Sequence, residues 1–227
     1  MKRELALLAI VAAFAGPVLA HEAAPRAGAA AFVLPEPGSY ELPPIAHVAD
    51  FALQDETGAP APLLDLAPDQ VAIVSFVYTR CSDGRGCPAA LAVLQRLDRA
   101  VAADATLAAR VRIATVSFDP VHDTPVRMAD LRRALAPRSQ WRFLTARTPD
   151  EIAPVLAAFG QDALPLVGDG ENALGLYRHV LKVFLVDARG AVRNVYSSGF
   201  LSPELLLVDA RTVLQTESPT LVGVIGH

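Results

Sequence analysis

Cysteine is scarce in this chain, with two among 227 residues. One pair cannot build a four-cysteine zinc or iron–sulfur site. It also leaves a single possible disulfide, with no choice of partner. Blocks of basic residues are missing too, and the formal net charge of −4 is mildly acidic. A nucleic-acid partner therefore has no support. Beyond the N-terminus no apolar run approaches the roughly 20 residues that cross a bilayer as a helix. What is present is a chain long enough for one sizeable domain with a full core, plus a tail.

The N-terminus carries a leader-like pattern. Lys2 and Arg3 make a basic start, Leu5 to Ala15 is apolar, and Val18-Leu19-Ala20 is a small-residue cleavage site. The expectation is a signal peptide over residues 1–20 and a protein that is periplasmic or otherwise exported. An uncleaved anchor is the lesser alternative, because the apolar stretch is short for a spanning helix. No cysteine stands at the cleavage point, so no lipid is expected there. Residues 21–46, rich in Ala and Pro, read as an extended arm. Residues 47–215 read as the domain and 216–227 as a tail. Export matters for the cysteines, since a disulfide forms and persists outside the cytosol.

Residues 71–78 are apolar and rich in β-branched side chains, which predicts a buried strand. The strand opens into the loop that holds Cys81 and Cys87. Pro88 follows, then Leu91, Leu94, Leu97 and Val101 at helical spacing. This predicts a helix over 89–101, proline being favoured in a first helical turn. Cys87 then stands at or just before a helix N-terminus, where free N–H groups and the dipole favour thiolate over thiol. A second buried strand is predicted at 111–118. Thr124-Pro125 and Thr148-Pro149 predict helix starts, with the two helices ending near Leu135 and Phe159. A short strand at 141–144 lies between them. Near the start of the domain, 51–53 reads as a short strand before a turn at Gly58, and 63–66 as a short turn or helix. Residues 177–186 and 192–197 predict two strands joined by a turn at 187–190, and Ser202 starts a last helix to Leu214. Two βα units, a hairpin and a final helix make an α/β sandwich, a central β-sheet flanked by helices. A cysteine pair at the first strand-to-helix junction suggests a thioredoxin-like fold, an analogy that leaves function to the site.

Five residues separate the cysteines, Ser82-Asp83-Gly84-Arg85-Gly86. The two glycines let the loop bend back to the roughly 4.4–6.8 Å Cα separation of a disulfide. The same closeness lets two thiolates share one soft metal, with a third ligand from elsewhere. His21 and His227 lie in the tails. His21 would lead the mature chain, where amine and ring can chelate copper, but a solvated tail explains it more simply. His47 lies at the domain start and His122 in the polar loop 119–123. His179 precedes the apolar stretch 183–186, at a place from which its ring can point back at the sheet end. It stands as a metal ligand against the alternative of a hydrogen-bonded structural histidine. Two thiolates and an imidazole suit copper, since thiolate selects Cu(I) and imidazole also accepts Cu(II).

Three segments resemble the Sco/SenC family of exported copper proteins. They are Phe76-Val77-Tyr78-Thr79-Arg80-Cys81 with Cys87-Pro88, the D-P-x-x-D-T-P segment Asp119 to Pro125, and His179 eight residues before Asp187. The resemblance covers residues 48–210 and implies a thioredoxin-like fold. It implies copper bound by Cys81, Cys87 and His179, with Asp119 behind the ligands or in docking. It also implies a partner, a cytochrome oxidase subunit or another copper or redox protein, with membrane contact only through that partner or an uncleaved signal. One departure stands out. The family usually has three residues between its cysteines and this chain has five, so the loop is expected to be more flexible. Arg85 within it would favour thiolates.

Three functions follow from these residues. The first is a copper-binding assembly factor. The second is a thiol–disulfide oxidoreductase without a stable copper site, in which one cysteine attacks and the other resolves. Cys81 is the attacking thiol by analogy with thioredoxin-like proteins. The third is a domain in which the pair is only a staple, which a chain of this length does not need. A peroxidase would rest on Arg85 alone.

Overall fold

The computed structural model describes residues 33–167 and 173–217. The predicted signal segment, residues 21–32 of the arm and the tail beyond 217 lie outside the described residues. The strands in chain order are β1 (Ala46–His47), β2 (Ala52–Gln54), β3 (Pro60–Pro62), β4 (Val71–Val77), β5 (Val111–Ser117), β6 (Trp141–Leu144), β7 (Ala163–Val167), β8 (Ala173–His179), β9 (Lys182–Asp187) and β10 (Ala191–Ser197). The helices are α1 (Cys87–Ala102), α2 (Ala105–Arg110), α3 (Pro125–Leu135), α4 (Pro149–Ala158) and α5 (Pro203–Glu217).

Strand β4 is buried at every position. A strand covered on both faces has no solvent side to alternate with, hence its continuous apolar sequence. It lies inside a six-stranded sheet of order β1-β10-β9-β4-β5-β6. β4, β5 and β6 run parallel, with Val71 opposite Val111 and Ile113 opposite Trp141. β9 closes the other edge of β4 antiparallel, with Val71 opposite Asp187. On one face Ala72, Val74 and Phe76 pack with Phe184, Val186 and the α4 residues Ile152 and Val155. On the other, Val71, Ile73, Ile113 and Leu185 pack with Leu94 and Leu97 of α1 and Leu206 and Val213 of α5. Each Leu, Ile or Phe buried in this way is worth roughly 1.5–3 kcal/mol against exposure. The result is the expected α/β sandwich.

Several elements differ from the sequence expectation. The stretch 177–186 is not one strand. It breaks at Val180-Leu181, so that β8 pairs with β7 in a separate two-stranded ribbon while β9 joins the main sheet. Gln161 pins the break by donating from Nε2 to the Val180 carbonyl at 2.9 Å. Helix α1 begins at Cys87 rather than Ala89. Residues 63–66 are not helical; Leu63 and Leu64 are buried, and Asp65 turns the chain with φ 49°. Thr148 caps α4 by accepting from the Glu151 N–H at 3.3 Å. Thr124 precedes α3 in extended conformation but makes no side-chain cap. The short helix α2 was not expected; the Asp104 carboxylate caps it, accepting from Thr106 N at 2.9 Å and Leu107 N at 3.2 Å. At the turn between β9 and β10, Gly190 has φ 76°, and a Cβ there would stand 2.4 Å from the Val48 carbonyl oxygen, so only glycine fits.

The described part of the arm is strapped to the domain. Gly38 N donates to Thr212 Oγ1 at 3.0 Å, Ile45 N to the Val192 carbonyl at 2.8 Å, and the Tyr40 hydroxyl to Asp209.

Candidate metal centre

Three pieces of chain meet at the C-terminal end of β4. The first is the turn after the strand, where Cys81 N donates to the Tyr78 carbonyl at 3.2 Å. The second is the cysteine loop, wound on Asp83. The Asp83 carbonyl accepts from Gly86 N at 2.9 Å, and its carboxylate accepts from Arg85 N at 3.0 Å. This turn brings the chain back so that Cys87 begins α1. The third is the end of β8, which presents His179. The sulfurs of Cys81 and Cys87 and one ring nitrogen of His179 all lie within 4.8 Å of one another. Cys87 Sγ stands 3.8 Å from His179 Nε2. Both cysteines are free thiols.

The two sulfurs differ in environment. Cys81 is half-buried, whereas Cys87 is 1% exposed. Burial pushes the Cys87 thiol up to about 12, against a downward pull from the Tyr78 backbone. This overturns the expectation of a thiolate favoured by the helix N-terminus. Desolvation of a buried anion outweighs the dipole when no counter-charge is present. Arg85 is exposed, and the groups acting on the Cys87 thiol are Tyr78, Cys81 and its own backbone.

His179 sits among aromatic rings, with centroids 5.1 Å from Phe118 and 5.8 Å from Tyr78. Burial pushes its pKa down, against upward pulls from the Val180 backbone and Asp83. The neutral ring, the form that ligates metals, is thereby favoured. Its Nδ1 is buried without a hydrogen bond of normal geometry. His122 does not join the group. Its Nδ1 stands 2.9 Å from Asp119 Oδ1 and 2.6 Å from Arg80 Nη2, so it donates to the first or accepts from the second, but not both. His47 is exposed on β1. His21 and His227 lie outside the described residues.

Asp119 is buried and does not touch the three donors directly. It accepts from Arg80 at 2.9 Å and from the Tyr177 hydroxyl at 3.1 Å. Tyr177 precedes His179 by two residues on β8, and it connects this carboxylate to the site. Asp123 is buried as well. It accepts from Thr79 N at 2.9 Å, Thr79 Oγ1 at 2.5 Å and Ser117 Oγ at 2.6 Å, clamping the start of the cysteine loop to the end of β5. Sequence reasoning missed Asp123 and Tyr177 as positioning residues. The signal for Asp123 was its place in the D-P-x-x-D-T-P segment.

The SCO1/SenC family model matches residues 41–215. The chain belongs to the SCO1/SenC family. Among solved structures, this SCO1/SenC chain is similar to apo Sco1 from Thermus thermophilus, at 26% identity over 82% of this chain and 98% of that one, with TM-score 0.60. It is similar to copper-bound ScoI from Bradyrhizobium japonicum, at 23% identity over 76% and 100%, with TM-score 0.57. It is also similar to BsSco, a Sco-family cytochrome c oxidase assembly protein with an identified disulfide switch, at 23% identity over 80% and 97%, with TM-score 0.57. No curated protein matches the chain. The fold is thus the thioredoxin-like fold of Sco proteins. Among the described residues no helix is long and apolar enough to cross a membrane. Chemically, the SCO1/SenC centre offers two thiols and an imidazole to one soft ion, or two sulfurs to one disulfide.

Proposed function

We propose that this chain is an exported copper-binding protein that delivers copper to, or reduces the cysteines of, a respiratory oxidase or related exported metalloenzyme. The observation that carries the reading is the convergence of the Cys81, Cys87 and His179 donor atoms within 4.8 Å. The donor set fits the ion: thiolates select Cu(I), and a neutral imidazole completes a three-coordinate site. Bound copper would supply the positive charge that keeps both sulfurs deprotonated. Cys87 is the inner ligand, held by the helix start, while His179 is half-buried among the aromatic rings. Of the two sulfurs Cys81 is the one nearer solvent, where a partner's thiol or imidazole displaces it before Cys87. The copper-bound state of the Bradyrhizobium japonicum relative supports the reading. The disulfide switch and oxidase-assembly role of BsSco support the choice of partner.

The test is copper stoichiometry and affinity of the reduced protein beside His179→Ala. One tight equivalent, lost in the variant, is the expected result. Weak or variant-insensitive binding would sink the reading. The leader pattern of residues 1–20 supports export, to be checked by fractionation and by N-terminal sequencing of the mature protein. A cytosolic protein that begins at Met1 would be the contrary result.

The unequal burial of the two sulfurs favours a second reading, thiol–disulfide exchange. Cys81 attacks a partner disulfide and one partner thiolate leaves. Cys87, once deprotonated, attacks Cys81 Sγ and releases the second partner thiolate, so the pair is oxidised by two electrons and the partner reduced by two. His179→Ala leaves this exchange largely intact. An exchange rate that falls with the copper affinity would count against it.

A further inference from the structure

The cysteine loop carries an exposed carboxylate, Asp83, beside Cys81, just outside the three donors that lie within 4.8 Å of one another. Asp83 and His179 line the same cavity of about 620 Å³, which opens beside the first turn of α1. Among the described residues they are the only aspartate and histidine that line it. Gly86 lies between Asp83 and Cys81. A Cβ built on it would be 3.4 Å from Asp83 Oδ2 and 3.4 Å from Cys81 Sγ, so the carboxylate oxygen and the sulfur flank the same small gap. Oδ1 of Asp83 is used in the turn, accepting from Arg85 N at 3.0 Å, and Oδ2 has no hydrogen-bond partner among the described residues. The other carboxylates of this region are committed, Asp119 to Arg80 and Tyr177 and Asp123 to Thr79 and Ser117.

Three donors satisfy Cu(I). Cu(II) prefers a four-donor, tetragonal set and accepts oxygen. On the copper reading given above, we propose that Asp83 is the fourth donor, offered by the cysteine loop to the oxidised metal and not needed by the reduced one. The donor atom is Oδ2; no side chain at Gly86 stands between it and Cys81 Sγ, and a small movement of the exposed loop would bring it to the metal. The turn through Oδ1 holds the carboxylate beside Cys81 without using the oxygen that would bind. This makes the loop itself a determinant of which copper oxidation state is retained.

The experiment compares the full mature chain with Asp83→Asn and Asp83→Ala, each reduced and loaded separately with Cu(I) and Cu(II). Asp83→Asn keeps an acceptor for Arg85 N and removes the charge; Asp83→Ala removes the donor. Both variants are expected to change the electron paramagnetic resonance parameters of the Cu(II) form and to release Cu(II) about tenfold faster or more. Their Cu(I) affinity is expected to match the unsubstituted protein. Unchanged Cu(II) spectra and release rates in both variants would overturn the assignment. So would a change confined to Asp83→Ala, or an equal loss of Cu(I), since either points to the turn rather than to a donor. An unsubstituted protein that takes up neither ion would instead bring down the copper reading on which the assignment rests.

Discussion

The Tyr177 hydroxyl donates to the Asp119 carboxylate at 3.1 Å, and Tyr177 shares one face of β8 with His179, two residues further on. Asp119 follows β5. One hydrogen bond therefore ties the ribbon that carries the imidazole to the sheet whose neighbouring strand leads to the sulfurs. The ring of Tyr177 adds contacts to Tyr78 and Phe118, each with centroids 5.2 Å away.

Tyr177→Phe keeps those ring contacts and removes the bond. Stability should fall by about 1 kcal/mol, the usual net worth of such a bond. Copper affinity should fall by less than in His179→Ala. Urea denaturation and a competition titration with a Cu(I) chelator check both. A variant with unaltered stability and affinity would show that the ring packing alone holds the ribbon.

Asp123 gives a larger expected effect. In Asp123→Ala, the Thr79 amide and the Thr79 and Ser117 hydroxyls lose their acceptor. Thr79 is exposed and its donors can turn to water, but the Ser117 hydroxyl is buried; leaving it unpaired costs roughly 1–3 kcal/mol, and a loss of that order is expected. Asp123→Asn should lose less. Chemical denaturation of the two variants measures the difference, and a stable alanine variant would refute the clamp.

The tyrosines predict a pH dependence. All four, Tyr40, Tyr78, Tyr177 and Tyr196, have pKa values above the ordinary 10.0, with burial the first cause in each; Tyr40 and Tyr177 reach about 12. Because the folded values lie above the unfolded one, this contribution to stability is complete below pH 10 and is lost as pH rises toward 12. Ultraviolet titration should show almost no tyrosinate in the folded protein up to pH 10, and later ionisation should accompany unfolding. Half-ionisation at pH 10 with the fold intact would contradict the burial argument.

The cysteine centre was legible because local chemistry and chain order agreed there. A fully buried strand leaves a continuous apolar run, Pro88 marks a first helical turn, and both cysteines lie between them. The ribbon was not legible. Past Tyr177 and His179 the residues of 180–186 are apolar apart from Lys182, and only the pairing of β8 with β7, while β9 joins the main sheet, divides the run. The protonation of Cys87 was misjudged for a related reason. Helix position can be read along the chain, but the depth of cover over the helix start is set by Tyr78 and the rest of the core cluster around it. Asp123 could be placed in a motif but not given a role, since its partners Thr79 and Ser117 become neighbours only when β4 and β5 align.

The strap formed by the arm has a mechanical consequence. Gly38 is held at Thr212, near the end of α5, where Arg110 joins the Leu214 carbonyl to the Asp69 carbonyl just before β4 begins. That is the end of β4 opposite the cysteines. A surface, carrier or fusion partner attached ahead of Val33 would pull on the floor of the domain and leave the sulfurs and imidazole pointing outward. Tethered at Gly38 itself, the domain should present its metal centre to solution without the attachment having to clear the binding face.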